Sequence, residues 1–271
     1  MATGAGSGSG AIADVGVFGG SGLYELLDDT EEVALDTPYG PPSAPLVVGE
    51  VDGRRVAFLP RHGVDHRYPP HRINYRANVH AMRQAGVAAI FGPCASGSLQ
   101  PDVRPGHFVV LDQFVDRTWG RPDTYWDEGE PTHVSLAHPY DDELRAIAVE
   151  ACRAEGVTVH ETGTAVVVQG PRFSTKAESR WFASQGWEVI NMTQHPEVTL
   201  ANEVGIPYAS IALITDFDAG LEDHPGVDAV TQDEVFAVMR RNADVVRRVL
   251  FRAIAALPAH LRPATGTSER G

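Results

Sequence analysis

The sequence has little positive charge and almost no lysine. Its 271 residues carry 22 lysine and arginine side chains against 36 aspartates and glutamates, which gives a formal net charge of -14. Lys176 is the only lysine. A chain this acidic lacks the cationic surface that binds nucleic acid or an anionic membrane. A lysine-based phosphate loop or a lysine Schiff base is also excluded, unless Lys176 itself supplies the amine.

Cysteines and long apolar runs are scarce as well. Cys94 and Cys152 are the only cysteines. They are too few for a disulfide framework, and they fit a reducing compartment such as the cytoplasm. No apolar run approaches the roughly 20 residues that span a membrane. Residues 1–13 are rich in Gly, Ala and Ser, without the basic start or apolar core of a secretory signal. We predict a disordered head at 1–13 and a flexible tail at 258–271.

Between these ends, short apolar strand patterns alternate with helical patterns. Helices are predicted to begin after the capping residues Asn74, Thr175 and Thr231. The alternation predicts a single α/β domain over residues 14–257, with a mixed central β-sheet flanked by helices. Ligands of open α/β sheets bind at the carboxyl ends of strands. The segments that follow predicted strands, and are therefore candidates for a site, are 19–22, 92–99, 191–197 and 215–218.

Two of these segments are rich in glycine. Residues 19–22 read Gly-Gly-Ser-Gly, which suits either a turn around an anion or a plain tight turn. Residues 92–98 have the glycine spacing of a phosphate-binding loop, but Ser98 stands where that loop needs its lysine. A lysine-containing phosphate-binding loop is therefore excluded at residues 92–98. A loop of small residues against which a ligand lies, or a simple turn, remains.

Arg61 and His62 are adjacent donors with a geometry suited to phosphate oxygens. The alternative is an ordinary polar surface loop. His66 nearby raises the question of a metal, but Gly63 occupies the position where a metalloprotease helix has glutamate. The surrounding prolines also favour a loop over a helix, so no metal site is predicted here.

Asp216 and Asp218 follow an apolar strand pattern at a spacing of two residues. Paired carboxylates at such a position serve acid–base or hydrogen-bonding roles, or they form a turn or helix cap. Cys94 has no recognisable base partner and is predicted to be a small buried side chain. The aromatic residues of segment 117–140 indicate either a subunit contact or a small core within the loop.

Several segments together resemble one family, the methylthioadenosine phosphorylase branch of the trimeric purine nucleoside phosphorylases. The resemblance runs in order from about residue 15 to about 257. The segments that carry it include GGSGL (19–23), RHG (61–63), INYRAN (73–78), GSL (97–99), GPRFST (170–175), INMT (190–193) and TDFD (215–218).

The resemblance implies a phosphorolysis. S-methyl-5′-thioadenosine and inorganic phosphate would give adenine and 5-methylthioribose 1-phosphate, with phosphate as co-substrate and with neither metal nor organic cofactor. It also implies a homotrimer with sites near the subunit interfaces.

The resemblance further implies roles for residues at matching positions. The two carboxylates that act on the purine would be Asp216 and Asp218. The phosphate site would contain Ser21, Arg61, His62, Cys94, Ala95 and Thr193. The nucleoside would contact Asp216 and Asp218 and, besides them, Phe173, Asn191, Met192, Gln232, Val235, Phe236 and, from a neighbouring subunit, His133.

Two departures from the family pattern keep alternatives open. Segment 92–96 lacks the threonines that many relatives have there, and Gln232 stands where an apolar residue facing the 5′ group is expected. The alternative substrates are another 5′-substituted purine nucleoside, such as methylthioinosine or a 5′-haloadenosine. A nucleoside hydrolase and a non-catalytic purine-binding protein are the alternatives of other classes. Base release measured with and without phosphate separates them.

Overall fold

In the computed structural model, the described residues are 11–19, 27, 29–130, 132–221 and 231–261, with the side chain of Glu234 excepted. Their strands form two sheets. The first sheet has six strands in the order β12-β5-β1-β4-β3-β2. These strands are β1 (Val15–Gly19), β2 (Glu31–Val33), β3 (Leu46–Val51), β4 (Arg54–Pro60), β5 (Ala89–Phe91) and β12 (Tyr208–Ala209). Strands β1, β4, β5 and β12 pair in parallel, and β2 and β3 are antiparallel additions at one edge.

The second sheet has seven strands in the order β8-β10-β11-β6-β13-β7-β9. It mixes parallel and antiparallel pairs. Its strands are β6 (Cys94–Ser98), β7 (Phe108–Val110), β8 (Gln113–Arg117), β9 (Val159–His160), β10 (Thr164–Val168), β11 (Val189–Asn191) and β13 (Ile211–Phe217).

Five α-helices accompany the sheets in the described part of the chain. They are α1 (Tyr75–Ala85), α2 (Asp142–Ala154), α3 (Lys176–Ser184), α4 (Gln194–Glu203) and α5 (Gln232–Ala255). Helix α1 packs against α4, and α2 packs against α5, which also lies on β13. The mixed α/β domain flanked by helices is therefore confirmed, with its strands divided between two sheets. None of the helices described here is long and apolar enough to cross a membrane.

The two sheets join where the chain passes from one to the other. Strand β5 continues into β6 through Gly92 and Pro93, and β12 continues into β13 through Ser210. The Gly92 N–H donates to the Ala209 carbonyl at 2.9 Å, and the Ser210 hydroxyl donates to the Gly92 carbonyl at 2.8 Å. These bonds satisfy the backbone at the crossing, which a buried chain requires. We call this crossing, residues 92–93 and 210, the sheet junction.

The predicted helix starts that depend on local chemistry are confirmed. The Asn74 side chain accepts from the Ala77 N–H at the start of α1. Thr175 and Glu178 form the reciprocal capping box of α3. Helix α5 follows Thr231. The sequence Thr231-Gln232-Asp233-Glu234 predicts a capping box here too, but the Glu234 side chain lies outside the described residues.

Three boundaries differ from the prediction. Cys94–Ser98 is strand β6 rather than part of a loop. Strand β13 extends through Phe217, so Asp216 lies within a strand and not after it. The chain is already packed at Ala13, which is 1% exposed and donates its N–H to Ala85. Residues 1–10 and 262–271 of the predicted head and tail lie outside the described residues.

Candidate active site

A cavity of about 320 Å³ opens beside the sheet junction. Thirteen of the predicted site residues line it, and they come from both sheets and from α5. They are Arg61, His62, Cys94, Ala95, Phe173, Asn191, Met192, Thr193, Asp216, Asp218, Gln232, Val235 and Phe236. His133 is exposed and does not line the cavity of its own chain, so its contact from a neighbouring subunit stays a prediction. Ser21 lies outside the described residues.

Other residues of the cavity wall were not predicted. They are His66, Pro69, Pro70, Ser96, Gly97, Val168, Pro171, Ser174, Ile190 and Thr215. Ser96, Ser174, Ile190 and Thr215 directly neighbour a predicted residue, and for them this adjacency was the available signal. His66 shows what adjacency cannot reveal. It reaches the cavity because its ring stacks on that of His62 with centroids 4.0 Å apart, which the loop sequence did not reveal.

Arg61 is a fully buried arginine, only 1% exposed. It directly follows β4, and its guanidinium forms a bidentate ion pair with Glu197 through Nε at 2.5 Å and Nη2 at 2.6 Å. Nη1 donates to the Pro93 carbonyl at 3.2 Å. Burial alone would lower the pKa of Arg61, but Glu197 outweighs it and raises that pKa further. Arg61 is therefore a permanent, rigidly held donor in the cavity wall.

His62 is the neutral neighbour of this charge. Its Nδ1 lies 2.9 Å from the Tyr68 carbonyl, which only accepts, so Nδ1 carries the proton and Nε2 has the lone pair. Burial is the largest cause that lowers the pKa of His62 to about 3, followed by His66. At neutral pH this ring can accept a hydrogen bond from a protonated phosphate oxygen through Nε2.

Asn191, Met192 and Thr193 pass along the cavity between β11 and α4. The Asn191 side chain accepts from the N–H groups of Thr193 and Gln194, both at 3.4 Å, which fixes this connection. Met192 packs closely on Gly170, where an added Cβ would lie 2.7 Å from the Met192 sulfur. Gly170 also has a φ of +63°, which side chains rarely adopt, so a substitution there would strain the backbone and displace Met192. The thioether is thereby held as an apolar platform.

An irregularity in β13 directs the Asp216 side chain toward the cavity. The register between β13 and β6 shifts between Ile214 and Asp216, as at a β-bulge. Bulges redirect side chains and are frequent beside active sites. The Thr215 hydroxyl donates to Asp216 Oδ1 at 2.6 Å, and Gly97 leaves space for Oδ2, which an added Cβ would approach to 3.0 Å.

Asp218 is more deeply buried, at 2% exposure. Burial raises its pKa, although the hydroxyls of Ser179 and Ser174 oppose this. Asp218 Oδ2 and the Ser174 hydroxyl are buried and close enough to interact, but neither makes a hydrogen bond of ordinary geometry with a described residue. Buried polar atoms are normally satisfied, so the two atoms are available to a polar ligand in the cavity.

The α5 part of the wall is apolar except for one amide. Val235 and Phe236 are half-buried, and the Phe236 ring meets the edge of His66 with centroids 5.5 Å apart. Gln232, at the first position of α5, is exposed and also lines the cavity. The cavity thus brings a fixed cation, two carboxyl groups and an apolar surface together around one space. This arrangement suits a ligand with an anionic part, a hydrogen-bonding ring and an apolar substituent.

The depressed pKa of His62 predicts a pH dependence of folding. Below pH 6.5 the unfolded chain protonates this ring, whereas the folded chain does so only near pH 3. The free energy of unfolding should therefore fall as the pH drops from about 6.5, at up to about 1.4 kcal/mol per pH unit for this group. Urea unfolding measures this at pH 7 and at pH 5. Between these two values, the free energy of unfolding of His62→Asn should fall by less than that of the wild type. His138→Asn, which changes an exposed ring, should match wild type, and equal losses in all three would contradict the assignment.

Comparison with known proteins agrees with this geometry. Residues 14–255 match the family model described as the phosphorylase superfamily. A purine nucleoside phosphorylase of Streptomyces coelicolor is 54% identical, over 91% of this chain and 90% of its own length. An S-methyl-5′-thioadenosine phosphorylase of Mycolicibacterium smegmatis is 53% identical, over 90% of this chain and 91% of its own.

A solved structure shows the same fold. Methylthioadenosine phosphorylase from Schistosoma mansoni, in complex with adenine, superposes with a TM-score of 0.84 at 38% identity, over 90% of this chain and 91% of that one. The chain therefore belongs to the phosphorylase superfamily, in its methylthioadenosine phosphorylase branch.

Proposed function

We propose that the protein catalyses phosphorolysis of S-methyl-5′-thioadenosine to adenine and 5-methylthioribose 1-phosphate. The observation that carries this proposal is the single cavity in which the buried Arg61 and the carboxyl groups of Asp216 and Asp218 meet. Phosphate and a purine are the two ligands that this set of groups suits best. Relatives named S-methyl-5′-thioadenosine phosphorylase, at 44–53% identity, support the same reaction.

The reaction needs no nucleophile from the protein. A phosphate oxygen forms a bond to C1′ while the bond from C1′ to N9 breaks, and the bonding electron pair passes to the purine. Positive charge grows on the sugar and negative charge on the base. The phosphate, held by Arg61, His62 and Thr193, stabilises the first charge. A carboxylic acid at Asp216 donates its proton to N7 and relieves the second.

The remaining wall residues position the nucleoside. We place Phe173 and Asn191 along the base and Met192 under the ribose, with Val235 and Phe236 around the methylthio group. Burial raises the pKa of Asp218, which stands two residues from Asp216 on the same side of the proposed base site. Ser21, Cys94 and Ala95 complete the proposed phosphate site, with no metal or organic cofactor.

We also propose that the protein is a cytoplasmic homotrimer. Trp119 and Trp126, in the aromatic segment 117–140, are 66% and 43% exposed. Exposed aromatic side chains are typical of interfaces. His133, exposed in the same segment, would then reach the 5′ end of a neighbouring subunit's cavity.

The first prediction concerns phosphate. Purified protein should release adenine from methylthioadenosine with phosphate, and the rate should fall at least about 100-fold in phosphate-free buffer, because water lacks the contacts to Arg61 and His62. Chromatography of adenine and of the sugar product measures this. Equal rates in both buffers would instead favour a nucleoside hydrolase.

The second prediction concerns the purine. Asp216 should accept a hydrogen bond from the 6-amino group, so methylthioadenosine should be cleaved with a higher kcat/KM than methylthioinosine. A 6-oxo group would leave the accepting oxygen of Asp216 facing a lone pair, which is costly in a buried site. Asp216→Asn should narrow or reverse this preference, because an amide both donates and accepts. A wild-type preference for methylthioinosine would contradict the assignment.

The third prediction concerns the 5′ group. If the Gln232 amide faces that group, adenosine or a 5′-halo-5′-deoxyadenosine should be tolerated beside methylthioadenosine. Gln232→Val should then shift the kcat/KM ratios toward methylthioadenosine by about tenfold, the value of one lost hydrogen bond. Unchanged ratios for the three substrates would show that Gln232 turns to solvent.

A further inference from the structure

Behind Arg61, on the side away from the cavity, lies a buried carboxylate with three donors. Glu197 is 0% exposed and stands in the first turn of α4. Two of its donors are Nε and Nη2 of Arg61, and the third is the Tyr208 hydroxyl at 2.6 Å from Oε1. A carboxylate at a helix N-terminus is also favoured by the helix dipole. Glu197 does not line the cavity, so it acts only through its partners.

The contacts of Arg61 determine which of its donors reach a ligand. A guanidinium has five N–H groups. Among the described residues, the Glu197 carboxylate accepts two of these N–H groups and the Pro93 carbonyl accepts a third. The bidentate contact with Glu197 fixes the plane of the group, because both N–H bonds must point at one carboxylate. The other N–H groups therefore have a set direction at the cavity wall.

Tyr208 in turn fixes Glu197. Its ring lies on β12 at 1% exposure, against the sheet junction. A Cβ added to Gly92 would lie 1.7 Å from the Tyr208 hydroxyl and 3.2 Å from Glu197 Oε1, so only glycine admits this arrangement. Burial raises the pKa of Tyr208 well above its ordinary value. The hydroxyl therefore stays protonated and donates to the carboxylate.

We infer that Glu197 and Tyr208 are positioning residues that fix the direction in which Arg61 presents its N–H groups to phosphate. The inference rests on the proposed function, which places phosphate at Arg61. Because Glu197 balances the charge of Arg61, and His62 is neutral, the site has no excess positive charge from these residues. Phosphate must then be held by well-directed hydrogen bonds, and a tilt of the guanidinium should weaken its binding in particular.

The main test is Tyr208→Phe, with steady-state kinetics in phosphate and in nucleoside. The variant removes one donor to Glu197 and keeps the ring. The KM for phosphate should rise about tenfold, as expected if the tilted guanidinium loses one hydrogen bond to phosphate. The KM for methylthioadenosine should stay within about twofold, since the nucleoside contacts are untouched.

Tyr140→Phe is the matched control. Tyr140 is equally buried, its ring lies 6.1 Å from that of Tyr208, and its hydroxyl donates to Gln194 instead of Glu197. Tyr140→Phe should lower the melting temperature about as much as Tyr208→Phe does. Its KM for phosphate should stay within about twofold of the wild-type value. An equal rise in both variants would show a general packing effect and overturn the inference.

Two further variants distinguish a failure of this inference from a failure of the proposed function. Glu197→Asp keeps the charge but withdraws the carboxylate by one methylene, so it too should raise the KM for phosphate selectively. An unchanged value would overturn the inference even if Tyr208→Phe does not fold. Arg61→Lys tests the proposed function itself, because lysine cannot reproduce the bidentate contact. If Arg61→Lys leaves the KM for phosphate unchanged, the phosphate site is wrongly assigned and the inference falls with it.

Discussion

A buried guanidinium needs a carboxylate, and the ion pair between Arg61 and Glu197 is the constraint around which the site is arranged. Both side chains are almost completely removed from water, at 1% and 0% exposure. Removing one partner of such a pair leaves an unpaired buried charge, which costs about 3–5 kcal/mol. The end of β4, the start of α4 and strand β12 must therefore be assembled together. The cavity lies where these elements meet the second sheet.

This constraint also explains how a protein of net charge -14 can hold an anion. The overall field of the chain does not favour phosphate, so recognition depends on local donors. A bidentate arginine and a neutral histidine with a fixed tautomer supply directed contacts without a basic surface. The same cavity can then place two carboxyl groups near the purine.

Much of this arrangement could be predicted from the sequence, but its supporting contacts could not. Asn74 and the Thr175–Glu178 box are visible because capping involves residues three positions apart. Cys94–Ser98 was predicted as a loop because its small residues have low strand propensity, and only pairing with β11 and β13 makes it a strand. The sequence around Glu197 shows only an acidic residue in the first turn of a helix. Its partner Arg61 lies 136 residues away, and no local pattern links them.

The sheet junction has a consequence for how the chain folds. Strand β12 pairs with β5, and β13 pairs with β6, across more than 100 residues of intervening sequence. Such non-local pairing closes large loops and makes folding slow. The cavity wall exists only after these pairings have formed, so phosphate has no complete site in a partly folded chain. Phosphate is thus expected to slow unfolding by binding the finished structure, without speeding the early steps by which that structure is reached.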